Sequence, residues 1–238
     1  MILLLPALLV AAAAAPASGP APPAASTCRD VVTPDALVCR ALQAQRSGSP
    51  DAAAQAFEEA AKASPANDPR TGRMWAAAGN LWIEANQPGK AAFALDQALT
   101  IPGMEAEQRG EVLLDRARAA EAQGDLKTAR AKLTEAAASI PDDPFYWYFS
   151  AALAIREGDP ATAKTAIGKA LALAPSDATI LFEAGHVADL TGDQDEARRD
   201  WTRAAASDPN GEVGKAAAKA IEMLGVTPTV KTDPQPPK

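Results

Sequence analysis

The chain is poor in aromatic side chains, which make up 5% of its 238 residues, and it has one histidine and two cysteines. β-Branched residues are sparse and scattered, whereas alanine is abundant, which favours helices over sheets. The formal net charge of −7, without any Lys/Arg cluster, disfavours binding to nucleic acid or to an anionic membrane surface. This composition predicts an all-α protein and disfavours nucleic acid and anionic membranes as binding partners.

Sequence signatures of catalysis are missing as well. No G-x-S-x-G, H-E-x-x-H or P-loop pattern occurs. The only histidine, His186, has Asp189 three residues on and on the same helical face, but a catalytic triad also needs a positioned nucleophile. Cys28 and Cys39 match no metal or redox spacing. The sequence predicts a noncatalytic protein without metal or cofactor.

The N-terminal segment is typical of an export signal. Residues 2–15 are apolar but too few to span a bilayer, and a small-x-small pattern ends at Ala17. We predict a signal peptide over 1–17, cleaved near Ala17, and an Ala/Pro-rich linker over 18–33. The mature chain is then periplasmic or secreted, with no membrane span. The alternative is a buried helix in a cytoplasmic protein.

The two cysteines and the C-terminal end carry further predictions. In an oxidising compartment Cys28 and Cys39 are expected to form a disulfide that fixes the N-terminal arm to the first helix. The alternative is two unpaired thiols, one of them buried. Residues 225–238 contain four prolines and are predicted to be a disordered tail.

A regular internal repeat dominates the rest of the chain. A turn residue recurs at 34-residue steps as Gly124, Gly158 and Gly192, and Gly48 and Asn86 precede them at 38-residue steps. Gly, and next Asn, adopt the left-handed conformation that ends a helix. Each turn therefore separates the two helices of a unit. The polar residues that follow four of the turns are expected to cap the second helices: Ser49, Asp125, Asp159 and Asp193.

Further columns of residues keep step with this turn. In the second helices a first small column consists of Ala53, Ala91, Ala129, Ala163 and Ala197. A bulky column follows with Phe57, Leu95, Leu133, Ile167 and Trp201, and then a second small column with Ala60, Ala98, Ala136, Ala170 and Ala204. A proline ends each unit: Pro65, Pro102, Pro141, Pro175 and Pro209. In the first helices a large column precedes a small one: Leu37, Trp75, Leu113, Trp147, Leu181; Ala41, Gly79, Ala117, Ala151, Gly185. Large residues opposite small ones at helical spacing predict close helix pairs.

This helix-turn-helix unit resembles the tetratricopeptide repeat, and the second unit carries its signature with Trp75, Gly79, Trp82 and Ala91. The resemblance implies a right-handed α-α superhelical solenoid of about five units. We place the units and a C-terminal capping helix as follows: 34–67, 72–105, 110–143, 144–177, 178–211 and 212–224. Four extra residues after each of the first two units should lengthen the turns there.

The resemblance also implies a groove, lined by the first helices, that binds a peptide or a partner domain. Matching positions place Asn80, Arg118, Phe145 and Tyr148 in the groove, with Phe182 and His186 in the last unit. Few cations accompany Asn80 and Arg118, so a carboxylate clamp for acidic tails is not expected.

Five consecutive aromatics, 145–149, are unusual in so aromatic-poor a chain. Trp147 falls in a core column, whereas Phe145 and Tyr148 should face the groove near Phe182 and His186. The run is either a binding patch or tighter packing between the last two units. We predict an adaptor or scaffold of the bacterial cell envelope. The alternatives are a holdase for exported proteins and a noncatalytic subunit of an envelope enzyme.

Overall fold

The structure, a computed structural model, describes residues 28–224. These residues form eleven helices and no strand. The helices are α1 Pro34–Arg46, α2 Pro50–Lys62, α3 Pro69–Glu84, α4 Pro88–Thr100, α5 Ala106–Ala122, α6 Leu126–Ala136, α7 Pro144–Glu157, α8 Pro160–Leu173, α9 Ala178–Leu190, α10 Gln194–Ser207 and α11 Glu212–Leu224. The predicted all-α class is confirmed. The predicted signal peptide, most of the linker and the C-terminal tail lie outside the described residues.

Every turn inside a helix pair has the backbone that the repeated glycine predicts. The turn residue has a positive φ in all five pairs, at Gly48, Asn86, Gly124, Gly158 and Gly192. The N–H group of the next residue then donates to the carbonyl five positions earlier, at 2.8 to 3.0 Å in each pair. This Schellman-type closure satisfies carbonyls at the end of the first helix. It turns the chain back into the second helix.

Aspartate caps begin three of the second helices. The carboxylates of Asp125, Asp159 and Asp193 each accept from the backbone N–H three residues on, at 3.0 Å. They satisfy amide groups that have no partner inside the helix. The expectation that Ser49 caps α2 in the same way is wrong, because its side chain makes no capping hydrogen bond. Helix α2 begins instead with Pro50, whose missing N–H leaves one donor fewer to satisfy.

The two helices of a pair touch through small residues. A Cβ added at Gly79 would lie 2.6 Å from a methyl carbon of Leu95. A Cβ at Gly185 would overlap the indole of Trp201. Leu95 and Trp201 belong to the bulky column of the second helices, so each of these side chains fills a hollow in the first helix of its own unit. This is the packing that the alternating columns predict.

The extra residues after the first two units do not lengthen turns as expected. They extend the next helix at its N-terminus, so that α3 has 16 residues and α5 has 17. Pro69, one of these extra residues, occupies the first helical turn of α3, where its missing N–H costs nothing. The long connection, 137–143, follows α6, which ends after 11 residues at Ala136.

Helix α7 buries the expected small residues Ala151 and Ala154, but its large buried residues are not the expected one. Tyr146, Phe149 and Leu153 are buried and pack against α5 and α6 side chains, whereas Trp147 is only half-buried. The placement of Trp147 in a core column is therefore wrong. Its indole N–H donates to the Pro141 carbonyl at 2.7 Å, so the ring keeps its polar edge at the surface.

The helix pairs stack into a superhelix. Each second helix packs on the first helix before it and the first helix after it, and direct packing joins α3 to α5, α5 to α7, α7 to α9 and α9 to α11. The first helices therefore line the inner surface. Helix α11 closes the stack, with Ala217 buried against α9 and α10. The predicted solenoid is confirmed.

The N-terminal arm is fastened to α1 at two points. Cys28 and Cys39 form a disulfide with an S–S distance of 2.05 Å. The neighbouring Arg40 guanidinium donates to the carbonyls of Arg29 and Val31, at 3.0 and 3.2 Å. Together they hold the chain that leads into the first unit against the first helix.

Candidate functional site

The inner surface brings the predicted groove residues onto neighbouring helices. Asn80 lies on α3, Arg118 on α5, Phe145 and Tyr148 on α7, and Phe182 and His186 on α9. Since these four helices pack in succession, the residues follow one another along the groove. Their contacts divide into a polar part on α3 and α5 and an aromatic part on α7 and α9.

The polar part is organised by Asp115, which the sequence reasoning missed. The Asn80 amide donates to one carboxylate oxygen of Asp115 at 3.0 Å, and the Arg118 guanidinium donates to the other at 2.8 Å. The same guanidinium lies over the Phe145 ring, 5.2 Å from its centroid. The spacing of Asp115 and Arg118, three residues apart on one helix, could have revealed this pair.

Phe145 and Tyr148 form the aromatic pair on α7. Their ring centroids are 5.3 Å apart, and 38% of Phe145 remains exposed. Burial raises the pKa of the Tyr148 phenol, the Glu183 carboxylate raises it further, and Arg118 opposes the rise. Tyr148 packs against the core clusters on both sides of α7, and its phenol stays neutral at physiological pH.

Phe182 and His186 form the second pair, one turn apart on α9. Their centroids are 4.4 Å apart, and His186 also meets the edge of Trp201 at 5.5 Å. The imidazole Nδ1 lies 3.8 Å from a carboxylate oxygen of Glu183, so the acidic neighbour of His186 is Glu183 and not Asp189. The side chain of His186 is 44% exposed, so a ligand in the groove can reach it.

Carboxylates border the aromatic pairs on both sides. Between the first turns of α5 and α7 lies a cleft of about 480 Å³ lined by Glu107, Glu111, Asp142 and Asp143. Partial burial raises the pKa of Glu111, and the neighbouring carboxylates, with Glu107 first, raise it further. The cleft adjoins the aromatic part, because the Phe145 N–H donates to Asp143 at 2.8 Å.

A second cleft, of about 520 Å³, lies between α2 and α4, away from the groove. Several of its polar groups have partners: Glu58 accepts from the Trp82 indole at 2.7 Å and from Lys62 at 2.9 Å, and the Lys90 ammonium lies 4.2 Å above the Trp82 ring. Phe93, which is 53% exposed, forms its rim. Sequence reasoning did not identify this cleft.

The described residues offer recognition chemistry. Exposed rings supply apolar contact, Arg118 and His186 supply donors, and the bordering carboxylates supply acceptors. Within residues 28–224 no group of three or more His, Cys, Asp or Glu side chains is placed to hold a metal ion. In the same residues no helix combines the length and the apolar character needed to cross a membrane.

The fold and the groove define a helical-repeat protein with an accessible inner surface. A family model described as tetratricopeptide repeat matches residues 40–107 and 150–212, more than half of the chain. The chain belongs to the tetratricopeptide repeat family. No curated protein matches the sequence significantly.

Solved structures share the fold at low sequence identity. PilW, described as a widely conserved type IV pilus biogenesis factor, is 20% identical with a TM-score of 0.64 over 78% of this chain and 82% of that one. MamA from Desulfovibrio magneticus RS-1 is 17% identical with a TM-score of 0.61 over 75% and 97%. YrrB, described as a TPR protein with an unusual peptide-binding site, is 16% identical with a TM-score of 0.55 over 77% and 91%.

Proposed function

We propose that the chain is a noncatalytic adaptor that holds a peptide or partner domain in the groove of α3, α5, α7 and α9. The observation that carries the proposal is the partly exposed aromatic surface of Phe145, Tyr148, Phe182 and His186 on two adjacent first helices. Aromatic side chains lose little conformational entropy on binding and dominate the energy of interfaces. The peptide-binding site described for YrrB is consistent with this use of the fold.

The groove is favoured over the α2–α4 cleft because its groups retain binding capacity. In the cleft, Glu58 already holds Lys62 and Trp82, and Lys90 lies on the Trp82 ring. In the groove, Phe145 and His186 keep open surface. A ligand there can contact these two rings directly.

We propose further that the protein works in the bacterial cell envelope. The Cys28–Cys39 disulfide supports this, because such bonds persist in oxidising compartments. The predicted signal peptide supports it too, and PilW is described as a pilus biogenesis factor. Mass spectrometry of the native protein should find an N-terminus near Ala17, with Cys28 and Cys39 resistant to thiol labelling before reduction. An intact N-terminus with two labelled thiols would contradict envelope localisation.

Affinity capture from envelope extract tests the groove. The tagged full chain is compared with a Tyr148→Ala, Phe182→Ala double variant of equal helicity and with a Phe93→Ala control outside the groove. We expect a discrete partner with the wild type and with the control, and its loss with the double variant. Capture of the same proteins by all three would contradict groove binding, and broad capture of many unfolded chains would favour a holdase.

A further inference from the structure

The charged side chains that border the aromatic groove are mostly negative. Glu107, Glu111, Asp142 and Asp143 line the cleft next to Phe145, and Asp177 and Glu183 lie near the Tyr148 phenol on the other side. Six carboxylates thus border one aromatic surface. Asp143 and Asp177 also cap their helices, but each uses a single oxygen for this.

Internal cations do not balance this charge. The Arg118 guanidinium is already paired with Asp115 at 2.8 Å, which is a seventh carboxylate. His186 faces Glu183 across 3.8 Å and is cationic only when protonated. The mutual effect of the carboxylates is visible at Glu111, whose pKa is raised by burial and by Glu107, Asp143 and Asp115. Like charges held this close leave a negative potential that an opposite charge would relieve.

Resting on the proposed function, we infer that the occupant of the groove is a basic segment that presents an aromatic or large apolar side chain next to Lys or Arg. The apolar side chain packs on Phe145 and Tyr148. The cationic side chain enters the cleft at Glu107 and Glu111. Beside the aromatic pairs, an acidic segment would meet Arg118 and His186, both of which already have acidic neighbours. Charge complementarity of this kind sets partner choice and the rate of association more than raw affinity.

Three fluorescein-labelled probe peptides of equal length test this inference on the purified full chain by fluorescence anisotropy. The first carries two Phe with flanking Lys, the second replaces every Lys by Glu, and the third replaces every Phe by Ala. We expect the first to bind roughly tenfold or more tightly than either of the others. Its affinity should fall as salt rises, because screening weakens exposed charge pairs.

Three double variants separate the effect of charge from the effect of the aromatic groove. Glu107→Gln with Glu111→Gln should remove most of the preference for Lys over Glu. Glu59→Gln with Glu222→Gln, which neutralises two exposed carboxylates elsewhere, should leave it unchanged. Tyr148→Ala with Phe182→Ala should abolish binding of the first peptide.

Equal or tighter binding of the acidic peptide, abolished by the aromatic variant, would overturn the basic-partner inference and leave groove binding standing. Basic-peptide binding that survives the aromatic variant would count against the groove itself, as would captured partners that are insensitive to that variant. If no peptide binds the wild type at millimolar concentration, the inference is overturned as stated, while partner capture tests the groove separately.

Discussion

The second and fourth units bury the tryptophan at the same repeat position to different extents. In the second unit Trp75 and Trp82 are 7% and 5% exposed, deep in the packing between α2, α3 and α4. In the fourth unit Trp147 holds the same repeat position as Trp75 yet is half-buried, and Phe145 is 38% exposed. Repeat position alone therefore does not decide burial.

Neighbouring side chains explain the difference. In α7 the core is already filled by Tyr146 and Phe149, three residues apart on one face, so Trp147 is displaced to the edge. In α3 the residues on either side of Trp75 are Met74 and Ala76, which leave the tryptophan room to pack inward. Trp75 is therefore part of the core of the second unit, whereas Trp147 lies at the edge of the core of the fourth.

The largest expected effect is on the free energy of unfolding when either of the two tryptophans is replaced. Trp75→Ala should lower the free energy of unfolding by about 3–5 kcal/mol, because it empties a buried aromatic site. Trp147→Ala should cost only about 1–2 kcal/mol, since the ring is only partly buried. Equilibrium denaturation of both variants checks this order. Equal losses would contradict the difference in burial between the two tryptophans.

Two glycine substitutions extend the comparison of packing in the second and fourth units. Gly79→Ala in the second unit should destabilise the protein by about 1–3 kcal/mol, because the new methyl would press on Leu95. Gly168→Ala in α8 meets no atom within 4 Å and should be neutral or stabilising by up to about 1 kcal/mol. Melting temperatures that fall in both variants would show that the space around α8 is misjudged.

The smallest expected effect concerns pH and helix caps. Hydrogen bonds from Thr162 hold the pKa of Asp159 below its usual range. A lowered folded-state pKa contributes stability above the unfolded pKa, and this stability is lost as pH falls through the folded pKa. The N-terminus of α8 should therefore fray on acidification below about pH 4, near the unfolded aspartate pKa.

Helix α4 of the second unit supplies the control for this pH effect. It begins at Pro88 after Gln87, without a side-chain cap, so it has no such carboxylate to protonate. Hydrogen exchange, corrected for the intrinsic rate at each pH, should show lost protection at the start of α8 and not of α4. Asp159→Asn should remove the difference, and a loss of protection shared by both helices would point to global unfolding instead.

The sequence predicted the turns between paired helices well, because the conformational preferences of the turn residues determine them. Gly124 and its equivalents need a left-handed conformation whatever surrounds them, and all adopt it. This repeat carries the resemblance to the tetratricopeptide family, and the resemblance implied the solenoid. The small columns were equally readable, since Gly79 and Gly185 have no space for a Cβ beside Leu95 and Trp201.

Side-chain partners between units were not predictable in the same way. Asp115 joins Asn80 on α3 to Arg118 on α5, and that contact depends on how two units stack. The neighbour of His186 was assigned to Asp189, but Glu183 lies on the same face one turn earlier and is the closer group. Periodicity places residues on a face, whereas the rotation of neighbouring helices selects the partner.

Site-specific photo-crosslinking tests groove binding most directly. A photoreactive p-benzoylphenylalanine replaces Phe145 in the groove or, as the matched control, Phe93 at the rim of the α2–α4 cleft; both native rings are exposed. We predict a discrete crosslinked partner after irradiation of cells carrying the probe in place of Phe145, and none from the Phe93 site. Crosslinking from the Phe93 site alone would contradict the groove and move the binding surface to α2 and α4.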